Sequence, residues 1–333
     1  MLAPEFWARE GALPRLLEPL GRAYDLAGRL RRAAAKPWKA PVPVICVGNL
    51  VAGGAGKTPV VLGLVRELTT RRVRVNVLTR GYRGREAGPV RVDPRRHDAA
   101  AVGDEPLLLA RLASTWVSRD RLAGVRAAAA AGAQAIVMDN GFQNPTVRKD
   151  LSLLVVDASY GFGNGRVFPA GPLREDAIRG LARADAAVLL GEDEQGMATL
   201  LEAHLPMLRA QLAPTSEDGR LAGRKVLAFA GIARPEKFFI TLAKQVGAQV
   251  VETRSFPDHY RYRPRDIDRL LARAHAQQAV PITTAKDAVR VPERFRGAIE
   301  VLEVAVLWQD PEAVKQLIDR AMPVQPTGAG RGP

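Results

Sequence analysis

Two rhythms of apolar residues alternate along the chain. Short runs rich in β-branched residues, first Val42, Val44, Ile45 and Val47, give way to apolar positions at helical spacing, first Val60, Leu62, Leu64, Val65 and Leu68. Val73, Val75 and Val77 then lead into Leu78 and Thr79. Residues 135–138 end in Asp139, residues 151–156 end in Asp157, and residues 184–190 form a further strand. An apolar helix is predicted over 107–112 and an alanine-rich one over 119–131. The polar, proline-containing stretch 85–101 reads as a long excursion. Strands and helices exchanged in this way predict an α/β fold, a doubly wound and mostly parallel sheet.

The pattern changes over 191–205 to an acidic, helical link. Beyond it, strands are predicted over 225–230, 249–253, 280–284 and 299–307, with helices over 235–246, 264–276 and 311–322. The expected plan is a core over 41–205, a smaller α/β lid domain with linker strands over 206–322, and a Gly- and Pro-rich disordered tail over 323–333. No internal repeat is evident.

Residues 1–40 do not fit the core pattern. Pro14 and Pro19 argue against one uninterrupted helix, but from Pro19 onward Leu20, Ala23, Tyr24, Ala27, Leu30 and Ala34 keep one apolar face. Arg22, Arg29, Arg31, Arg32, Lys36 and Lys39 border it, with Trp7 and Trp38 at its ends. Such a segment suits an anionic membrane interface; the competing reading is a helix packed on the domain with its arginines in water.

Between the first strand and its helix lie Val51, Ala52, Gly53, Gly54, Ala55, Gly56, Lys57 and Thr58, a phosphate-binding loop with Val51 where the GxxxxGK[ST] template has its first glycine. Glycines let successive backbone N–H groups converge on an anion. The following helix adds the positive end of its dipole, and Lys57 reaches the β and γ phosphates of a nucleotide such as ATP. Thr58 then becomes a Mg²⁺ ligand. Asp139, at a strand end downstream, is the expected second Mg²⁺ partner. Asp104 and Glu105 open a helix, where carboxylates are at home electrostatically; facing a triphosphate, one of them accepts a hydroxyl proton or joins the metal shell. Arg80, Arg83, Arg166 and Arg174, on glycine-containing loops, are candidate holders of a substrate phosphate or of ATP. His259 stands beside Asp258 on a loop of the smaller unit, and Lys286 ends a strand there. If the two units face each other, both loops overhang the phosphate site.

Composition narrows the partners. The formal net charge of +14 calls for an acidic one: nucleic acid, an anionic membrane or a phosphorylated substrate. Aromatic residues make up only 5% and no basic stripe runs through the core, so nucleic acid is not expected. The single Cys46 permits no disulfide, and His97, His204, His259 and His275 are too scattered for a zinc cluster. No run approaches the ~18 apolar residues of a membrane span.

Together the loops resemble one family, the tetraacyldisaccharide 4′-kinases, which phosphorylate the lipid A disaccharide. The similar segments are GNLVAGGAGKTP (48–59), LTRGYRG (78–84), VGDEP (102–106), DNGFQN (139–144), GFGNGRVFPAGPLRE (161–175), FAGIARPEKFF (229–239), FPDHY (256–260) and TTAKDAVR (283–290), in the family's order. The family's loop looks like xxGGxGKT, which accommodates Val51. Two segments depart from it: DDGFQH is replaced by a turn with Asn140 and Asn144, and TTEKDA by one with Ala285. The resemblance implies transfer of the γ-phosphoryl of ATP, with Mg²⁺, to the 4′-hydroxyl of a tetraacylated disaccharide 1-phosphate. It also implies Asp104 as proton acceptor and His259 as its positioning partner. A monomer working peripherally at the cytoplasmic face of the inner membrane is expected. The rival readings are a switch or assembly ATPase with a basic nucleic-acid- or membrane-binding surface, and a membrane adaptor with a vestigial nucleotide site.

Overall fold

The structure, a computed structural model, describes residues 4–215 and 220–322; the tail expected at 323–333 lies outside the described residues. The strands are β1 (Val44–Gly48), β2 (Val75–Thr79), β3 (Val90–Arg91), β4 (Ser114–Val117), β5 (Ala135–Asp139), β6 (Leu151–Asp157), β7 (Ala186–Leu190), β8 (Met207–Pro214), β9 (Lys225–Ala230), β10 (Gln249–Ser255), β11 (Val280–Thr284), β12 (Glu300–Leu302) and β13 (Val304–Trp308). A nine-stranded sheet runs β13-β8-β7-β6-β1-β5-β2-β4-β3, parallel except at its two edge strands, and a separate parallel sheet runs β10-β9-β11-β12.

Burial on both faces explains the apolar runs. All five residues of β1 are buried; Val44 and Cys46 join the core on one face, Ile45 and Val47 that on the other. The helix Lys57–Thr70 covers the second face through Val60, Val61, Leu64, Val65 and Leu68. With β5 on one side of β1 and β6 on the other, the chain leaves β1 in both directions across the sheet. The carboxyl ends of these strands are where such sheets bind ligands.

The boundary drawn at residue 206 is corrected. β8 pairs with β7 in the large sheet and β13 pairs with β8. The helix Pro311–Ala321 buries Val314, Leu317, Ile318 and Ala321 in the same core as the helix Lys57–Thr70. The smaller unit is therefore an insertion carrying β9–β12, and the strand expected over 299–307 is two strands in two different sheets. The predicted strands do not include β4, only four residues long and half polar, or β8, which sets Leu208, Ala210 and Leu212 alternately with Arg209 and Gln211 beside the helical link.

The N-terminal helix also differs from expectation: it runs unbroken over Ala12–Ala34, with Pro19 inside it. Pro14 lies in the first turn, where no intrahelical partner is lost, so Pro19 alone removes an interior hydrogen bond. The helix seats itself through Pro14, Gly21 and Asp25, and a Cβ on Gly21 would fall 2.7 Å from the Val167 carbonyl oxygen. Leu16, Leu20 and Leu30 are left 76%, 59% and 63% exposed, beside exposed Leu13, Tyr24 and Phe168. The apolar face thus points away from the domain.

Candidate active site

The phosphate loop follows β1 directly. Gly56 closes it with φ 77° at the start of the helix Lys57–Thr70, and a Cβ there would strike Leu190, so glycine is required. Val51, buried, makes a bridge to Leu173, which accounts for an apolar residue where the template has glycine. Ala52 N–H donates to the Pro172 carbonyl at 2.7 Å and Arg174 N–H to Leu50 at 2.7 Å; Arg174 Nε donates to Val51 at 3.2 Å. The 161–175 loop is thus a brace for the phosphate loop. Lys57 Nζ waits on Asn49 Oδ1 at 3.1 Å, and Asn49 Nδ2 donates to Val51 at 2.7 Å. Burial lowers the Lys57 ammonium to about 8 against the opposing pull of Asp139; a triphosphate beside it would favour its charged form.

Asp139 ends β5 beside Lys57 and is 2% exposed. Burial first, then the Glu105 carboxylate, push it up to about 7, while Lys57, Arg121 and Lys286 pull the other way. Arg121 is buried beneath it, donating to the Asp139 and Asn140 carbonyls at 3.3 and 3.0 Å. A buried carboxylate that a neighbouring carboxylate pushes up is one that a nearby cation would relieve. Among the described residues no group of three or more His, Cys, Asp or Glu converges for a metal; Mg²⁺ on a nucleotide needs only one or two carboxylates, the rest being phosphate and water. Thr58, Asp139 and Glu105 are the residues present that fit it. Asn140 takes φ 59°, a left-handed conformation that Asn tolerates, and it turns the chain where the resembled family has a second acid.

The insertion brings its loops to the same site. His259 Nδ1 lies 2.7 Å from Asp104 Oδ2, and Lys286 Nζ donates to Glu105 Oε1 at 2.9 Å. Asp104 is 4% exposed, yet its carboxyl is held at about 2: burial acts to raise it and is outweighed by the His259 hydrogen bond, with Lys286 and Arg290 adding to it. Lys286, half-buried, is raised by Glu105 and Asp104 against the opposing cost of burial. His259 is fixed in turn by φ 60°, by its N–H to the Gly231 carbonyl at 2.9 Å, and by the Tyr82 ring at 5.5 Å. Arg290 lies 3.6 Å from Asp104 and 2.7 Å from the fully buried Asp287, which also accepts from Tyr262 Oη at 2.7 Å. A second tie between the units joins Asp157 to Arg234 at 2.9 Å and Lys237 at 3.1 Å.

The predicted site residues thus gather, with exceptions among the arginines. Arg166 is committed to Glu10 and Glu18 on the N-terminal segment, Arg83 donates to the Asp258 carbonyl, and Arg80 is exposed. Sequence reasoning missed Arg121, which looks like an ordinary surface charge until its burial is known, and gave no role to Asp287 and Arg290, although both lie in the TTAKDAVR segment. It also missed Gln143, whose Nε2 joins the Asn49 carbonyl at 3.0 Å to the buried Glu175 at 3.2 Å. Membership of the DNGFQN segment was the available signal for Gln143.

A sequence model described as tetraacyldisaccharide-1-P 4′-kinase matches residues 13–323. The chain is 54% identical over 321 residues to a tetraacyldisaccharide 4′-kinase of Paramagnetospirillum magneticum, covering 96% of this chain and 98% of the relative. It is 54% identical over 324 residues to one of Rhodospirillum centenum, covering 96% of each. Among solved structures, LpxK from Aquifex aeolicus in complex with ATP superposes with a TM-score of 0.75 at 28% identity, over 93% of this chain and 100% of that one. Near-complete coverage together with the site just described leads to one conclusion: this chain belongs to the tetraacyldisaccharide 4′-kinase family.

Proposed function

We propose that this protein transfers the γ-phosphoryl group of ATP to the 4′-hydroxyl of a tetraacylated disaccharide 1-phosphate. The observation that carries the reading is the Asp104–His259 contact, made across the two units at the mouth of the phosphate loop. In the transfer, the hydroxyl oxygen bonds to the γ-phosphorus as its bond to the bridging oxygen of ADP breaks. Gly53, Gly54, Gly56 and Lys57 hold the phosphates. Mg²⁺, when bound to Thr58, Asp139 and Glu105, neutralises phosphate charge. Asp104 is ionised throughout the physiological range and receives the hydroxyl proton late, since a loose phosphoryl transition state asks little of its base. His259 and Arg290 keep that carboxylate aimed.

The exposed leucine face of the N-terminal helix, bordered by arginines, suits a peripheral position on the anionic cytoplasmic face of the inner membrane, where an acylated acceptor resides. No helix among the described residues is long and apolar enough to cross a membrane. We read the protein as a monomer that does not act on nucleic acid.

The test is radiolabelled γ-phosphoryl transfer from ATP with and without the acylated disaccharide 1-phosphate in micelles. A 4′-phosphorylated product that depends on both substrates is expected. ATP hydrolysis indifferent to the lipid would instead support a switch or assembly ATPase.

A further inference from the structure

The Asp157 cluster plays no part in the mechanism above, yet it lies beside the phosphate loop. β6 runs parallel to β1 with Leu154 opposite Gly48, so Asp157, three residues on, stands about 10 Å beyond the point where β1 opens into the loop. Ala233 of the insertion reaches the loop as well: a Cβ on Gly54 would be 3.8 Å from that of Ala233. The next residue, Arg234, donates to Asp157 Oδ2 and Ser159 Oγ, both at 2.9 Å, with its guanidinium 5.1 Å from the Tyr160 ring centre. Lys237 donates to Asp157 Oδ1 at 3.1 Å and Ser159 Oγ at 2.8 Å. Two cations share one carboxylate, leaving a surplus positive charge at the rim, and both remain accessible, Arg234 at 34% and Lys237 at 53%.

Resting on the nucleotide reading of the site, we infer that Arg234 and Lys237 are polyphosphate ligands contributed by the insertion, parked on Asp157 until the nucleotide arrives. The planar fork of Arg234 matches a phosphate edge; Lys237 supplies a point charge. Asp157 then competes with the nucleotide for the same donors. A structural latch would behave oppositely, because Asp157 and Arg234 would both favour the closed form.

Calorimetric titration of MgATP into the full chain separates these cases, with melting temperatures recorded for every variant. Arg234→Gln is expected to weaken ATP binding about tenfold, the loss of a charge-assisted fork. Arg234→Lys should fall between it and the wild type, and Lys237→Gln should lose less. Asp157→Asn should bind ATP as tightly as the wild type or more tightly. The inference is overturned if Arg234→Gln binds within about twofold of wild type, or if Asp157→Asn weakens binding as much as Arg234→Gln does. Wild-type protein that fails to bind ATP, or a Lys57→Ala variant that binds it undiminished, would sink the nucleotide reading itself.

Discussion

Asp104 and Asp139 have the same side chain and nearly the same burial, but their carboxyls are driven in opposite directions, to about 2 and about 7. The difference lies in their partners. Asp104 faces His259, Lys286 and Arg290, all from the insertion, and together they outweigh the cost of burying its charge. Asp139 has Lys57 and Arg121 nearby, but Glu105 repels it and burial penalises its charge. Asp104 is already supplied with donors and Asp139 is not; on the proposed reading, a bound cation would relieve the second acid.

The largest expected effect comes from Asp139→Asn. Loss of a metal-holding charge should cut turnover by about a thousandfold, several kcal/mol of transition-state stabilisation, measured as initial rate at saturating MgATP. Asp104→Asn should lower kcat by about a hundredfold or more with the KM for ATP little changed, as for a lost general base. His259→Gln, which leaves the carboxylate in place but less well held, should cost about tenfold. A KM effect without a kcat effect in either variant would reassign that residue to binding.

Stability should divide the pair again. Burial makes native Asp139 hold a proton that the unfolded chain has already released, so its contribution falls as pH rises from about 4 to about 7 and is flat above. Native Asp104 stays ionised where the unfolded chain protonates, so its contribution is lost as pH falls from about 4 to about 2. Denaturant melts at pH 8 should therefore find Asp139→Asn more stable than wild type by about 1–2 kcal/mol and Asp104→Asn less stable by about 2 kcal/mol. Two shifts of the same sign would erase the contrast. The smallest effect is expected from Lys286→Met: removing a cation that lowers Asp139 should move the acidic limb of the pH–rate profile up by about a few tenths of a unit.

Much of this was legible in the chain. The β-branched run before Gly53 to Thr58 fixed the first strand, loop and helix because strand burial, glycine freedom and helix periodicity all act within a few residues. Asp139 stands out because it ends an apolar strand and Asp104 because it opens a helix, whereas the role expected of His259 came from the resemblance of FPDHY (256–260) to the kinase family. What could not be read depends on contacts distant in sequence. Arg166, on a glycine-rich loop, looked like a phosphate holder, yet Glu10 and Glu18, about 150 residues away, claim it. Pro19 looked like a helix boundary, but the seam of Pro14, Gly21 and Asp25 holds the helix together across it. The partnership of Asp157 with Arg234 and Lys237 links residues 77 and 80 positions apart, and no spacing rule announces it.

The insertion leaves the large sheet after β8 and re-enters it at β13, and Pro214 and Val304 are register partners. Both ends of the lobe therefore hang from one spot on an edge ribbon, like a door on a single hinge. Any swing about that ribbon would carry His259, Lys286, Arg234 and Lys237 together, since all four belong to the insertion.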